Sequence, residues 1–283
     1  MTALAPRARR RRTRRGPRAA FAVLLAAVVI GIPAWLVAAT IGKSSADAQS
    51  PNLHPPKQWH AAANLHTAFN QGQMARGLLN TVLVVVPSVI LVLILAAMAA
   101  WIFARRAGRL TAVVYAVSIS GIVLPPTVIT MVLELRKMGL ADTRVGLICA
   151  YTGIYLSFAI FFMTGFIKGL PIELEEAAGI DGAGPMRVFW SIVFPLLRPV
   201  IATAAIMVTL FAWNDIFYAF FVLGGGGDAT LPLNLYQVAN AQLYQNNWNL
   251  IFAFISIMSL PLVALFMLGQ RRIISGITSG AVK

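Results

Sequence analysis

One carboxylate stands inside a strongly apolar stretch of this chain: Asp215, directly after Trp213 and Asn214. Placing a carboxylate in a membrane helix costs about 2.5–3.5 kcal/mol on insertion scales, so such a group faces a cavity or a partner. An aromatic ring, an amide and a carboxylate in sequence can stack on and hydrogen-bond a sugar. The same groups can instead bond between helices and hold a bundle or a gate. The structural or gating role is the stronger expectation. Three histidines, His54, His60 and His66, could suggest a metal, but no two are spaced i, i+4, and no Cys or carboxylate follows Asp47 closely. They read as solvated loop residues. Gly42-Lys43-Ser44 has the end of a phosphate-binding loop, but Val37 stands where its first glycine is required. No His-Glu-x-x-His and no Gly-x-Ser-x-Gly occurs. The single cysteine, Cys149, excludes an internal disulfide and is expected as buried packing.

The elements that must position these residues follow from composition. Of 283 residues, 59% are hydrophobic and 11% charged, and the mean hydropathy is +0.78. A soluble domain is about 25% charged, and a chain of this size cannot bury so much apolar surface by itself. An ordinary soluble enzyme is excluded, and an all-α polytopic membrane protein is indicated. A hydrocarbon core needs about 20 apolar residues as helix. Six stretches qualify: about 20–41, 78–104, 110–133, 147–167, 200–223 and 250–268. They contain Pro33, Pro87, Pro125, Pro126 and Pro261, which membrane helices tolerate.

The formal charge of +14 is distributed unevenly. One side holds the arginines of residues 7–18, then Arg105, Arg106, Arg109, Lys168, Arg187, Arg198, Arg271, Arg272 and Lys283. The other holds Lys43, Lys57, Arg76, Arg136, Lys137 and Arg144. The first carries roughly three times the second, which makes it cytoplasmic and places both termini inside. Residues 1–19 thus form a basic cytoplasmic tail attracted to anionic lipid. Nucleic-acid binding is not expected, because no aromatic interleaving accompanies the charge. Ala46-Asp47-Ala48 after an apolar run resembles a signal-peptide cleavage site, but the run of about 22 residues exceeds the usual 7–15.

The loops differ in information. The outer segment after Leu223 opens on Gly224–Gly227 and reads as a flexible connector. Leu235, Tyr236, Leu243, Tyr244 and Trp248 follow it as an interfacial aromatic belt or a partner-docking surface, the belt being the default reading. Glu134, at the end of a stretch, is expected at the interface. The inner loop 168–199 carries a helix signature. Pro171 suits a first turn, and Glu173, Glu175 and Glu176 favour its positive end. Leu174, Ala177 and Ala178 share a face, and Gly182 and Gly184 can stop the helix. Pro185 starts a second helix with Phe189, Ile192, Val193, Leu196 and Leu197 on one stripe. The small-residue face admits either close approach by another protein or an interfacial helix with no partner.

This loop resembles the signature of ABC importer permeases: Glu-Ala-Ala, three residues, Gly, nine residues, Ile, one residue, Leu-Pro. Here it reads Glu176-Ala177-Ala178, Gly182, Ile192, Phe194 and Pro195, with Phe194 in place of Leu. Asp181-Gly182-Ala183, Pro195-Leu196-Leu197-Arg198-Pro199, Trp213-Asn214-Asp215 and the ending Gln270–Lys283 resemble the carbohydrate, MalG-like branch. The resemblance covers nearly the whole chain from the first stretch onward. It implies a type I ABC importer permease fold: six transmembrane helices, both termini cytoplasmic, and one transmembrane permease domain over 20–283. It implies that loop 168–199 holds a coupling helix. Glu175, Glu176, Ala177, Ala178, Asp181, Gly182 and Ala183 would then meet a cytoplasmic ATPase. Trp213, Asn214 and Asp215 would line the pathway or gate. The implied partners are a second homologous permease, two ATP-binding subunits, an extracytoplasmic solute-binding protein and the bilayer of a bacterial cell membrane. ATP and magnesium would reside on the partner ATPase, so this chain has no cofactor or catalytic residue of its own.

Two other classes compete. An ion-coupled secondary transporter needs intramembrane charges, often in inverted repeats, and Asp215 alone qualifies clearly. A membrane-embedded enzyme lacks a motif. Both leave the inner loop unexplained.

Overall fold

The computed structural model describes residues 15–124, 127–224, 226–240 and 246–281, with side chains described between 19 and 269. Every regular element among the described residues is helical. The first rod joins α1 (Arg15–Ala26) and α2 (Ile32–Gly42) through a π-helical turn. Next come α3 (Ala61–Gln71), α4 (Met74–Arg105), α5 (Arg109–Ser120), α6 (Val128–Lys137) and α7 (Arg144–Ile167). The inner loop holds α8 (Glu173–Ile180), α9 (Pro185–Val188) and α10 (Phe194–Leu196). Then follow α11 (Arg198–Trp213), α12 (Phe217–Leu223), α13 (Leu231–Asn240) and α14 (Trp248–Ala281). Most of the basic tail, residues 1–14, and Pro125, Pro126, Gly225, Leu243 and Tyr244 lie outside the described residues.

The centre is the α4–α7 pair. Val84, Val92, Ala96, Ala97 and Ala100 of α4 meet Leu147, Tyr151, Ala159, Met163 and Ile167 of α7 in one buried cluster. The alanines let the backbones approach, which is how helices associate where lipid is as apolar as leucine. The opposite side of α4, with Leu79, Val86, Ile90 and Leu95, is exposed, as a lipid-facing stripe would be. A smaller cluster near the start of α4 gathers Ile41, Ala68, Met74, Leu231 and Phe254.

Among the described residues, four helices are long and apolar enough to cross a membrane, Ala19–Gly42, Met74–Arg105, Arg144–Ile167 and Trp248–Gly269, or five if one bent pair counts as a span. The four correspond to the first, second, fourth and sixth expected stretches. The other two are interrupted, so six continuous spans are not found. The third stretch divides into α5 and α6. Helix α5 stops at Gly121, where a Cβ would meet Ser157 Oγ of α7 at 2.5 Å. The fifth divides at Asn214–Ile216 for a reason given below. Pro185–Leu196 and Arg198–Trp213 pass the length test only as a pair, bent by 73°.

Two segments read as loops are helical and anchored. In α3, Asn64 Nδ2 donates to the carbonyls of Ile41 and Lys43 at 2.7 and 2.8 Å. Asn249 donates to its Oδ1 at 3.0 Å. The segment taken as a flexible connector is held by α4. Asn80 Nδ2 donates to the carbonyls of Gly227 and Ala229 at 3.2 and 3.0 Å, and Thr81 Oγ1 accepts from Leu231 N at 2.7 Å. The phosphate-loop remnant is also structural. Trp59 packs on Gly42 so closely that a Cβ would lie 2.6 Å from its ring. Lys43 is buried and donates to Asn52 Oδ1 at 2.7 Å.

Candidate functional site

The inner loop begins where Ile172 ends a turn and α8 starts. Its first turn carries Glu173, Glu175 and Glu176, which the positive end of the helix stabilises. Its end is a Schellman motif. Ala183 N donates to the Ala178 carbonyl at 2.9 Å and Gly182 N to the Gly179 carbonyl at 3.1 Å. Gly182 has φ +79°, a left-handed position that costs other residues about 1–2 kcal/mol. A Cβ there would meet no atom within 4 Å, so the requirement for glycine is conformational. We therefore expect Gly182→Asn to preserve the loop and Gly182→Val to unravel the last turn of α8, since Asn visits this region and a β-branched residue does not. Protease accessibility of the loop in the purified protein separates the two variants.

The second loop helix, Pro185–Leu196, contains a π-helical turn at Phe189–Val193. Pro195 has no N–H to return to Ser191, and a wider register accommodates that loss. Phe189, Val193 and Leu197 are buried. Phe189 lies 5.5 Å from the Trp101 ring, which seats the loop on the end of α4.

The expected coupling residues divide into two groups. Glu176, Ala177, Asp181 and Gly182 are exposed. Ile180, 87% exposed, and Leu174 stand in the open beside them. Ala178 and Ala183 turn inward and pack on the core. Glu175 also turns inward. Its Oε1 accepts from Arg105 Nε at 2.8 Å, and its Oε2 accepts from Trp101 Nε1 at 2.7 Å. In the sequence Arg105 counts only as one of the charges that set the orientation, and Trp101 is not singled out. Their i, i+4 spacing at the end of α4 was the available signal.

The expected gate residues sit at the other end of α11, about 24 Å of helix from Arg198. Asp215 accepts from the N–H groups of Tyr218 and Ala219 at 3.3 and 3.0 Å. It thereby caps α12 and produces the break in the fifth stretch. It also accepts from Tyr151 Oη at 2.8 Å. Asn214 is exposed and bonds back to the Leu210 carbonyl. Trp213 is buried, and its Nε1 has no hydrogen-bond partner among the described residues. An aromatic seam leads to this point. Tyr151 and Tyr155 lie 5.6 Å apart, Tyr155 and Phe211 6.0 Å, and Phe158 and Phe211 5.8 Å.

Elsewhere, Glu134 pairs with Lys137 at 2.8 Å in an exposed position. Cys149 is exposed, contrary to expectation, because it lies off the Leu147–Ala150–Tyr151 stripe that α7 buries. It lines a 350 Å³ cavity with Gly121, Met131 and Gly153. No group of three His, Cys, Asp or Glu among the described residues could hold a metal.

Among the described residues the chain is an all-helical bundle that carries a short exposed helix, α8, on the loop 168–199. Residues 77–279 match the family described as binding-protein-dependent transport system inner membrane component. The chain belongs to this family of ABC transporter permeases. It is 35% identical over 272 residues to the melibiose/raffinose/stachyose import permease protein MelC of Bacillus subtilis, covering 92% of this chain and 95% of that one. It is 30% identical over 263 residues to the diacetylchitobiose uptake system permease protein NgcG of Streptomyces coelicolor, covering 92% and 87%. The crystal structure of a bacterial ABC transporter involved in import of the acidic polysaccharide alginate contains a chain of the same fold. That match has a TM-score of 0.75, 21% identity, and coverage of 95% of this chain and 99% of that one.

Proposed function

We propose that this chain is a pathway-forming permease subunit of an ATP-driven importer for a carbohydrate. In this reading it pairs with a second, homologous permease. Helix α8 docks on one of two cytoplasmic ATP-binding subunits, and a solute-binding protein delivers the sugar from outside. Both termini face the cytoplasm. ATP binding closes the ATPase pair, moves the coupling helices and switches the pathway from inward-open to outward-open. The energy comes from the differential affinity of ATP for the two states.

The observation that carries the reading is the exposed face of α8. Glu176, Ala177, Asp181 and Gly182 form a small-residue surface flanked by exposed Leu174 and Ile180. Exposed leucine and isoleucine beside alanine and glycine fit a protein partner that covers this face. The sugar permeases among the relatives support a carbohydrate cargo. Asp215, the carboxylate an ion-coupled carrier would need, is already occupied by Tyr151 Oη and two backbone N–H groups.

Deleting this chain in its host and measuring uptake of a panel of labelled sugars and polyols tests the assignment. Loss of one or a few sugars, restored by the wild-type chain and abolished by depleting ATP, is expected. Uptake that persists without ATP and collapses with the ion gradient would contradict it.

A further inference from the structure

Within the transport reading, α8 must be held to the membrane helices firmly enough to pass on a displacement. Its own covalent connections are poor candidates. On one side lies the turn Lys168–Ile172, and on the other the glycine-bounded segment Asp181–Gly184. Beside the packing of Ala178 and Ala183, the polar side-chain attachment of α8 among the described residues runs sideways, from its first turn to the end of α4.

Glu175 reaches across a sequence distance of 70 residues to Arg105 and of 74 to Trp101. Both carboxylate oxygens are used, one by each donor. The donors are one helical turn apart, so they define both the position and the orientation of the carboxylate. Arg105 also donates, through Nη2, to the Leu170 carbonyl at 3.1 Å. It therefore grips the loop on both sides of Pro171. The Arg105 and Glu175 side chains are only 15% and 13% exposed. The indole of Trp101 meets Phe189, which is fully buried in the second loop helix. Two side chains on one turn of α4 thus secure both helices of the inner loop.

We propose that Trp101, Arg105 and Glu175 form an internal latch that makes α8 move with α4, and that Glu175 positions the coupling helix rather than touching the ATPase. Glu175 and Glu176 are adjacent in sequence and divide the work. Glu176 stays on the exposed face, and Glu175 is spent inside the chain. The loss of one charge-assisted partner from such a site shifts a docked-to-undocked equilibrium roughly 10- to 100-fold. Helix α4 reaches from this latch to Asn80 and Thr81, which hold the opposite loop at Gly227, Ala229 and Leu231. A displacement of α8 has a continuous rod to act on.

The test uses the complete transporter carrying Arg105→Gln, Glu175→Gln, the double variant, the exchanged pair Arg105→Glu/Glu175→Arg, and Trp101→Phe. Trp101→Phe keeps a ring against Phe189 and removes only the N–H donor. Retention of the ATPase subunit, sugar transported per ATP hydrolysed, and hydrogen exchange of the α8 amides are measured for each. The latch predicts that Arg105→Gln and Glu175→Gln behave alike. Each lowers sugar transported per ATP about tenfold or more and speeds exchange across α8. The double variant is no worse than either single one, the exchanged pair recovers part of the loss, and Trp101→Phe falls between. Additive losses, or a defect confined to Glu175 variants that also sheds the ATPase, would place Glu175 at the ATPase and overturn the latch. Transport per ATP at the wild-type level in every variant would overturn it as well. Absence of any ATPase beside the wild-type chain would instead contradict the transport reading. The hydrogen-exchange arm would still decide whether the latch holds α8.

Discussion

Glu176→Lys is expected to strip the ATPase subunit from this permease while leaving the permease itself folded. Glu176 is exposed on α8 and has no side-chain hydrogen bond or ion pair among the described residues, so its replacement removes no such contact there. It lies in the first turn of the helix, where a lysine also opposes the helix dipole, at a cost of about 0.3–1 kcal/mol. That term is small beside the effect at an interface. A site built to receive a carboxylate presents cationic or hydrogen-bond-donating groups, and a reversed charge against them costs several kcal/mol, about 100-fold in affinity or more. Pull-down of the ATPase with tagged wild-type and Glu176→Lys chains reads this directly. Glu176→Gln, which keeps the shape and loses the charge, is expected between them. Unaltered retention by Glu176→Lys would show that the exposed face of α8 is not the docking surface.

The second large effect is expected at Asp215. Its replacement by Ala removes the cap of α12 and leaves the Tyr151 hydroxyl stranded on a residue with no exposed surface. Loss of a cap costs about 1 kcal/mol, and an unpaired buried hydroxyl about 1–3 kcal/mol more. A destabilisation of about 2–4 kcal/mol follows. Asp215→Asn keeps an acceptor oxygen and is expected to lose about 1 kcal/mol. Tyr151→Phe in the Asp215→Ala background should recover part of the loss, because it removes the stranded group. Unfolding of the detergent-purified chain by denaturant gives all four values. Full stability with abolished sugar uptake in Asp215→Ala would instead make Asp215 a pathway residue. Its present partners would then be a resting arrangement.

The inner loop was legible in the sequence because its signals are local. Pro171, three glutamates and Gly182 describe a helix from first turn to left-handed stop without reference to the rest of the chain, and α8 with its Schellman end follows them. What each glutamate faces was not legible. Glu175 and Glu176 are equivalent by composition, and only the arrival of α4, seventy residues away in sequence, separates an anchored carboxylate from a free one. Arg105 counted in the sequence only as a positive charge, yet from the end of α4 it bonds to the loop at both Glu175 and Leu170.

The spans show the same division. Hydropathy found α4, α7 and the apolar part of α14, each long enough to cross a hydrocarbon core. It also ran through the break at Asn214–Ile216, because Phe217–Leu223 is as apolar as what precedes it. The cap signal was Asp215 itself, three and four residues before the N–H groups it accepts. Helices α3 and α13 were missed because they are short, and because their anchors, Asn64 to the end of α2 and Asn80 and Thr81 of α4 to the start of α13, are long-range.

The most direct test purifies the tagged wild-type chain from its native host in mild detergent, identifies what accompanies it, and measures ATP hydrolysis with and without its solute-binding protein. The account predicts a second permease and an ATP-binding subunit in the same complex, with hydrolysis stimulated by the sugar-loaded binding protein and lost with Glu176→Lys. A chain that purifies without an ATP-binding subunit, or a complex whose hydrolysis is indifferent to Glu176→Lys, would contradict it.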